Sequence, residues 1–226
     1  DYSFFGLVNL NNEVVLPVKY TSINTYLNGW LKAENTSTNE TKYVVKDEIV
    51  FDDFYSAKDG YIPIRKDGKF GLIDSSGTSI IISCYYDDIE IINSSLIYLL
   101  KNDKPYFYAT LSNKLDSSYQ LACINETNRF SNGSIIVAKG NSNEGICDRR
   151  ITTGIKVGLI NLYGQEIIPC KYDIIEEFKS SGYIITQIGR NYNDNLKNGL
   201  LDTDGNEILP CIYHIYTTGE FLYITE

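Results

Sequence analysis

The only histidine of the chain, His214, is the first residue to consider for acid-base or metal chemistry near neutral pH. Cys147 is the second, because it lies in the segment GICDRR, where Arg149 and Arg150 would favour the reactive thiolate. A thiol nucleophile needs a histidine base, and the chain has only one histidine. A zinc site needs several ligands, whereas the chain offers one histidine and no CxxC pair. We therefore expect no catalytic residue, no metal site and no cofactor.

Adjacent carboxylates could suggest a glycosidase, in which two acids act on one glycosidic bond. The chain has three such pairs, Asp52-Asp53, Asp87-Asp88 and Glu176-Glu177. Neighbouring side chains on a strand point to opposite faces, so the two members of a pair could not act together. We interpret these pairs as solvated strand ends. A glycan-processing enzyme with carboxylates that converge in a central funnel stays as an alternative.

A third group of residues could bind an anion. Its members are Asp148, Arg149, Arg150, Arg190 and Tyr192, a basic and aromatic cluster in an acidic protein. Guanidinium groups donate paired hydrogen bonds to carboxylate and phosphate groups. We expect this cluster to bind a ligand; the alternative interpretation is that the segments carrying it are solvated loops.

The composition of the chain limits the classes of molecule that we expect it to bind. The chain has 226 residues, a formal net charge of −9 and a sequence pI near 4.7. Nucleic acids and anionic membranes bind patches of Lys and Arg, so we expect neither as a partner. No apolar run approaches the ~18 residues of a membrane-spanning helix. Because the chain starts at Asp1 and has no Met, we expect its natural start to lie upstream, which leaves an export signal open.

The elements that would position these residues come from an internal repeat. Four segments align: GLVNLNNEVVLPVKYTSI from Gly6, GLIDSSGTSIIISCYYDDI from Gly71, GLINLYGQEIIPCKYDII from Gly158 and GLLDTDGNEILPCIYHI from Gly199. In each, an apolar strand ends in Asn or Asp, a second strand follows a turn, and a Tyr opens a third strand. The turn holds Gly77, Gly164 or Gly205, and Asn12 takes this place in the first segment. One extra residue before Ser83 predicts a β-bulge.

A fourth strand follows a small residue beyond that Tyr, and it occurs six times. The small residues are Gly29, Gly60, Ser95, Gly133, Gly182 and Gly219. The predicted repeats cover approximately residues 1–41, 42–69, 70–105, 106–156, 157–198 and 199–226. Units of about 38 residues with four short strands have the size of a propeller blade. We predict one all-β repeat domain, 1–226, as a β-propeller-like closed array of antiparallel strands; an open β-solenoid or a twisted repeat array is the alternative.

The repeat resembles the WG, or KWG, β-repeat that occurs in tandem in many bacterial proteins. The resemblance is carried by Phe5-Gly6, Phe70-Gly71, Gly158 to Asn161, Pro169, Tyr172-Asp173 and Gly199 to Tyr213. The chain departs from the pattern because it has no Trp-Gly dipeptide: Trp30 follows a glycine, and Val157 and Asn198 replace the aromatic residue in two repeats. The resemblance implies a non-catalytic binding or sensing module with no shared catalytic residues.

The repeat also explains the histidine and three cysteines. His214 follows the repeat Tyr, a position that holds Thr21 or an Asp elsewhere, so we interpret it as structural. Cys84, Cys170 and Cys211 share a position with Val18, which indicates small, apolar, buried side chains. Equivalent positions in neighbouring units should be too far apart for a disulfide. Unpaired core thiols favour a reducing compartment such as the cytoplasm.

Function on a repeat scaffold usually lies in insertions. Three joins between a fourth strand and the next first strand are longer than the minimum: residues 34–41, 139–156 and 189–198. The last two carry the basic and aromatic cluster. We expect a non-enzymatic module that binds a protein, a peptide or a small anionic ligand through these loops. An architectural or oligomerising domain of a larger protein is the alternative.

Overall fold

The structure, a computed structural model, describes residues 3–45, 49–121, 130–139, 155–179, 181–189, 196–218 and 221–225. Within these ranges the regular structure is strand, apart from one 3-10 turn at Leu27–Gly29. The strands form six small antiparallel sheets, in which neighbours in sequence are neighbours in the sheet. The predicted all-β repeat array is therefore confirmed, and its closure into a ring stays a prediction.

The strands enter the sheets in chain order. Sheet 1 contains β1 (Phe5–Val8) and β2 (Val14–Tyr20). Sheet 2 contains β3 (Ser22–Thr25), β4 (Leu31–Asn35), β5 (Glu40–Val45) and β6 (Ile49–Phe51). Sheet 3 contains β7 (Asp53–Phe54), β8 (Tyr61–Lys66), β9 (Lys69–Asp74) and β10 (Ile80–Tyr86). Sheet 4 contains β11 (Asp88–Ile91), β12 (Leu96–Lys101), β13 (Lys104–Ala109) and β14 (Lys114–Asp116). Sheet 5 contains β15 (Gln120–Leu121), β16 (Ile135–Lys139), β17 (Lys156–Ile160) and β18 (Glu166–Tyr172). Sheet 6 contains β19 (Ile174–Phe178), β20 (Tyr183–Ile188), β21 (Lys197–Leu201), β22 (Glu207–Thr218) and β23 (Phe221–Thr225).

The sheets are offset from the sequence repeats by half a unit. Each complete sheet combines the third and fourth strands of one repeat with the first and second strands of the next. The physical reason is the length of the links: a short hairpin turn makes the fourth strand and the following first strand antiparallel neighbours. Between the second and third strands a single residue, such as Asp52 or Asp87, turns the chain into the next sheet. A repeat therefore does not form one sheet, as the sequence had suggested. It contributes half of each of two consecutive sheets.

Contacts between Cα atoms divide the chain into two compact units. The first comprises Asp1–Ser94 and Leu99–Lys104, and the second comprises Ser95–Tyr98 and Pro105–Glu226. The prediction of a single domain over 1–226 stays a prediction.

Within each unit, sheets pack face to face through the side chains that alternate along the strands. Leu16, Tyr20, Ala33 and Val44 form the core between sheets 1 and 2. Trp30, Phe51, Ile62, Ile64 and Ile73 form the core between sheets 2 and 3. Ile136, Leu159, Ile168, Tyr172, Ile184 and Leu201 belong to the core between sheets 5 and 6. Burial on both faces is what lets such short strands stay folded.

The first hairpin of four repeats is irregular at the same place. In β17–β18, Leu159 pairs with Ile168 but Val157 pairs with Tyr172, so the register shifts between them. The hairpins β1–β2, β9–β10 and β21–β22 have shifts of the same kind. A Cβ atom on Gly158 would lie 2.4 Å from the carbonyl oxygen of Ile168. The glycine of the first strand is thus required by the close approach of two backbones.

The extra residue of repeat 3 lies in the turn. The Asp74 N–H bonds the Ser79 carbonyl, whereas in repeat 5 the Asn161 N–H bonds the Gln165 carbonyl, one residue closer. The strand pair does have an irregularity near Ser83, but the extra residue is not its cause, contrary to the prediction, because all four hairpins share it.

The predicted turn residues are confirmed. Gly77, Gly164 and Gly205 have positive φ values of 72° to 85°, and Asn12 has a φ of 62°. Repeat 4 has lost this glycine, and there Asn113, with a φ of 51°, takes the left-handed position.

Candidate functional site

Three of the hairpins that join a fourth strand to the next first strand are tight. The turns Asp67-Gly68, between β8 and β9, and Asn102-Asp103, between β12 and β13, have φ values between 50° and 78°. Such turns match the twist of the flanking strands. Between β4 and β5 the turn spans residues 36–39. The segment 34–41, which the sequence suggested as a long join, is a compact turn between strand ends.

The other two hairpins carry the insertions. Strands β16 and β17 pair as far as Lys139 and Lys156, and β20 and β21 pair as far as Ile188 and Lys197. Residues 140–155 and 189–196 therefore replace two-residue turns at the same hairpin position in sheets 5 and 6. The predicted ligand-binding residues Asp148, Arg149, Arg150, Arg190 and Tyr192 belong to these insertions and lie outside the described residues. The structure describes the strand ends at which these insertions begin and end.

Lysine–aspartate pairs lie beside the hairpins that join a fourth strand to the next first strand. The aspartate occupies the residue after the repeat Tyr, which we call the corner position because the chain there passes from one sheet to the next. The pairs are Lys42–Asp52, Lys69–Asp87 and Lys156–Asp173. Each aspartate also accepts a hydrogen bond from a hairpin N–H of the next sheet, from Asp67 at 2.7 Å, Asn102 at 2.6 Å and Gly189 at 3.0 Å. The corner carboxylate therefore links consecutive sheets.

These contacts hold the pKa values of Asp52 and Asp87 below their usual value. Burial raises the pKa of Asp52, but the hydrogen bonds from Lys42 and from the Asp67 N–H outweigh it and hold the pKa below its usual value. The hydrogen bonds from Lys69 and from the Asn102 N–H lower the pKa of Asp87. Asp173 is buried, and both of its oxygens lie 2.8 Å from the Lys156 ammonium. These carboxylates act in packing, because each is occupied by a lysine and a backbone donor.

His214 occupies the corner position of repeat 6, as the sequence alignment predicts. Its Nε2 lies 3.3 Å from Nζ of Lys197, the lysine that corresponds to Lys156. An ammonium can only donate, so in this contact Nε2 accepts. Among the described residues Lys197 has no carboxylate partner. The histidine replaces a corner aspartate without replacing its charge.

A polar cluster that sequence reasoning missed lies at the start of the first insertion. Tyr119 donates to Oε2 of Glu166 at 2.9 Å, and Lys139 bonds the same oxygen at 2.7 Å. The Lys139 ammonium also lies 4.8 Å from the centre of the Tyr119 ring. Burial and the Glu166 carboxylate raise the pKa of Tyr119 to about 12, so the phenol stays protonated. The cluster spans residues far apart in sequence, and no local pattern signals it.

The repeat cysteines pack across the first-strand glycines. A Cβ on Gly158 would lie 2.9 Å from the Cys170 sulfur, and the Cys170 thiol reaches the Val137 carbonyl at 3.7 Å on the strand beyond. Cys211 reaches the Thr186 carbonyl in the same way at 3.8 Å. Cys84, Cys170 and Cys211 are free, and they are half-buried rather than buried as the sequence had suggested. Burial raises the pKa of Cys170 to about 11, so this thiol is a poor nucleophile.

The three acidic pairs do not combine their members. Asp53 and Asp88 each accept the N–H of the following residue, away from the lysines that hold Asp52 and Asp87. Glu177 accepts the backbone N–H and the hydroxyl of Ser131. The interpretation as solvated strand ends therefore holds for Asp53 and Asp88, whereas the corner aspartates Asp52 and Asp87 are engaged in ion pairs.

Two absences hold for the described part of the chain. There, no three His, Cys, Asp or Glu side chains lie close enough together to hold a metal ion. Likewise, in that part, no helix is long and apolar enough to cross a membrane.

Comparison with known proteins gives one informative match. The WG containing repeat matches residues 5–35, 48–70, 70–104 and 158–192, which is more than half of the chain. No curated protein matches. Among solved structures, virginiamycin B lyase from Staphylococcus aureus aligns with 99% of this chain and 84% of its own, at 12% identity and a TM-score of 0.20. That likeness is too low to carry an argument about fold or activity.

Proposed function

The chain belongs to the family of WG-containing-repeat proteins, and from that premise we propose that it is a non-enzymatic binding module for an acidic peptide or a small anionic ligand. The site consists of the two insertions, residues 140–155 and 189–196. The observation that supports this proposal most is their position: both replace a turn that needs only two residues elsewhere in the same fold.

Their placement favours a shared role. A two-residue turn is enough to join a fourth strand to the next first strand, as β8–β9 and β12–β13 demonstrate, so the fold does not need the longer segments. Both insertions leave consecutive sheets of the second unit at the same hairpin position. Insertions that accumulate at one position of a repeat commonly form the binding surface.

The charges support an anionic ligand. The lysines at the base of the first insertion are neutralised, Lys139 by Glu166 and Lys156 by Asp173. Lys197, where the second insertion ends, contacts only Nε2 of His214 among the described residues and has no carboxylate partner there. An uncompensated ammonium beside insertions that carry Arg149, Arg150 and Arg190 favours a carboxylate or phosphate over a cation, on a chain whose net charge is −9.

The test compares two triple variants that remove the same charge. Arg149→Ala, Arg150→Ala and Arg190→Ala alter the insertions, and Lys114→Ala, Lys171→Ala and Lys179→Ala alter exposed cations elsewhere in the second unit. Each protein is titrated with an oligoglutamate peptide and with inorganic phosphate while backbone amide NMR signals are followed.

We expect shifts confined to the insertions and their strand ends, lost in the arginine variant and retained in the lysine variant. Equal binding by both variants, or no binding of either probe by the unaltered chain, would refute the proposal.

A further inference from the structure

The second strand of a repeat lies at the edge of its sheet. In sheets 2 to 5 these edge strands are β6, β10, β14 and β18. Natural proteins keep such edges from pairing with other chains by short strands, by proline and by charged side chains. Strands β6 and β14 are three residues long, whereas β10 and β18 have seven. The two longer edges therefore need a protection other than length.

Strand β10 lacks the protection that its equivalents have. Strands β2 (VVLPVKY) and β18 (EIIPCKY) and the first part of β22 (EILPCIY) each contain a proline at the same place. These prolines are Pro17, Pro169 and Pro210. Strand β10 (IIISCYY) has Ser83 there, and it has Tyr85 where β2 and β18 have lysine. It is thus a seven-residue edge without a proline or a charged residue.

The backbone of Ser83 presents a donor and an acceptor at this edge. A Cβ atom on Gly71 would lie 2.7 Å from the carbonyl oxygen of Ile82 and 2.9 Å from the nitrogen of Cys84, so both groups turn toward β9. The C=O and N–H of a trans peptide point in opposite directions. The N–H and the C=O of Ser83 therefore both point away from β9.

The equivalent prolines support this direction independently. The hairpins that carry them shift register at the same place as β9–β10. A proline has no N–H, so the fold does not use a hydrogen bond from this position. The Ser83 N–H is therefore a donor that the sheet itself does not need.

Apolar side chains of β10 are also uncovered. Ile80 is 47% exposed and Tyr85 is 64% exposed. The Ser83 side chain between them is exposed as well. An exposed edge of apolar, uncharged residues pairs readily with another strand.

We propose that the β10 strands of two copies pair antiparallel about a two-fold axis at Ser83. The Ser83 N–H of each copy donates to the Ser83 carbonyl of the other, as in a hydrogen-bonded pair of an antiparallel ladder. The same register sets Tyr85 opposite Ile81, an aromatic and β-branched pair of the kind that stabilises sheets. The contact uses the same patch on both copies, so assembly stops at a dimer.

The charges of the segment favour a second copy as the partner. In the two-fold register, residues 80–86 face one another, and none of them is charged. Beyond them, Asp87 lies opposite Ser79 and Asp88 opposite Thr78. No like charges therefore face each other along the pairing segment, although each chain has a net charge of −9.

Oligomeric state is the first test. We expect the weight-average mass in sedimentation equilibrium to rise from 25.6 kDa, the mass of one chain, toward twice that value as concentration increases. Ser83→Pro installs the residue of the three equivalent strands and removes the donor, so its mass should stay at that of one chain. Ser83→Ala keeps the N–H and should dimerise like the unaltered chain. A normal Tm at dilute concentration would show that both variants fold.

A second variant tests the same edge without a change to the backbone. Tyr85→Lys introduces the residue that β2 and β18 carry at this place and sets an ammonium against Ile81 of the second copy. It should weaken dimerisation about tenfold or more. Tyr163→Lys, at a tyrosine that is 51% exposed in a turn of the second unit, is the matched control and should leave dimerisation unchanged.

Amide exchange followed by NMR tests the register. The Ser83 amide proton should exchange about tenfold more slowly where the dimer predominates than at dilution. The amide of Leu111, which lies in an exposed turn, should exchange at the same rate under both conditions.

A single-chain mass at every concentration overturns the proposal, and the β10 edge would then be open to a strand of a different protein. A dimer that persists unchanged in Ser83→Pro, or one that leaves the Ser83 amide unprotected, overturns it as well, because association would then use another surface. The pairing does not depend on the proposed anion site, since β10 belongs to the first unit and both insertions belong to the second. Failure of either test leaves the other proposal standing.

Discussion

Replacing Gly77 by alanine should destabilise the first unit by about 2–5 kcal/mol. Gly77 has a φ of 72°, a conformation that costs a residue with a side chain about 1–2 kcal/mol. The new Cβ would also lie 2.3 Å from Nε1 of Trp30, so the indole must move. Overpacking of this kind costs about 1–3 kcal/mol.

The indole has little room to move. Trp30 is buried, and its ring contacts Phe51 and Phe54 edge-on, with centroids 5.5 and 5.2 Å apart. Its Nε1 has no hydrogen-bond partner among the described residues, so displacement costs packing rather than a hydrogen bond.

Gly68→Ala is the matched control. Gly68 also lies in a turn of the first unit with a φ of 78°, but a Cβ there would meet no atom within 4 Å. It should therefore cost only the backbone contribution of about 1–2 kcal/mol. Because Trp30 is the only tryptophan, urea unfolding followed by its fluorescence reports this site directly. Equal free energies of unfolding for the two variants would refute the role assigned to the Trp30 contact.

Three further predictions follow from the other contacts. Gly158→Ala should lower the free energy of unfolding by about 3 kcal/mol or more, because the Cβ would collide with the Ile168 carbonyl, a backbone atom that cannot rotate away; a loss no larger than that of Gly68→Ala in thermal unfolding would contradict this. In a chain that keeps only Cys170, whose pKa is raised by burial to about 11, an aromatic disulfide reagent at pH 8 should react about 100-fold more slowly than in urea; similar rates would show that the thiol is accessible and ionised. Since the pKa of Asp52 is lowered in the folded state, it contributes stability above its unfolded pKa of about 4, and that contribution is lost as pH falls through the folded pKa. Asp52→Asn should therefore reduce the fall in Tm below about pH 4, and an unchanged Tm profile would argue against the Lys42 pair.

Much of the local structure could be predicted because turns and strands depend on neighbouring residues. The left-handed turn at Asn12 and the strand that starts at Tyr183 were readable from residue type and spacing. The corner position of His214 followed from alignment of the repeats alone. The place of the extra residue in repeat 3 was not predictable, because a turn and a bulge absorb one residue equally well in sequence.

The candidate site was predictable only in outline. Sequence comparison located the insertions, since residues 140–155 and 189–196 are longer than the two-residue turns at this position in other repeats. It did not find the Tyr119–Glu166–Lys139 cluster, whose members come together only when the second unit folds. The equal sequence spacing of Gly158–Cys170 and Gly199–Cys211 was a usable signal for the packing of Cys170 on Gly158.

By itself, the sequence determined that this protein is an all-β repeat array, because alternation, turn glycines and a short period act over a few residues. The tertiary structure decided which strands share a sheet, since that depends on which backbones come within hydrogen-bonding distance. It placed each complete sheet across two repeats. It also showed why the repeat retains glycine at Gly158, where another backbone passes too close for any side chain.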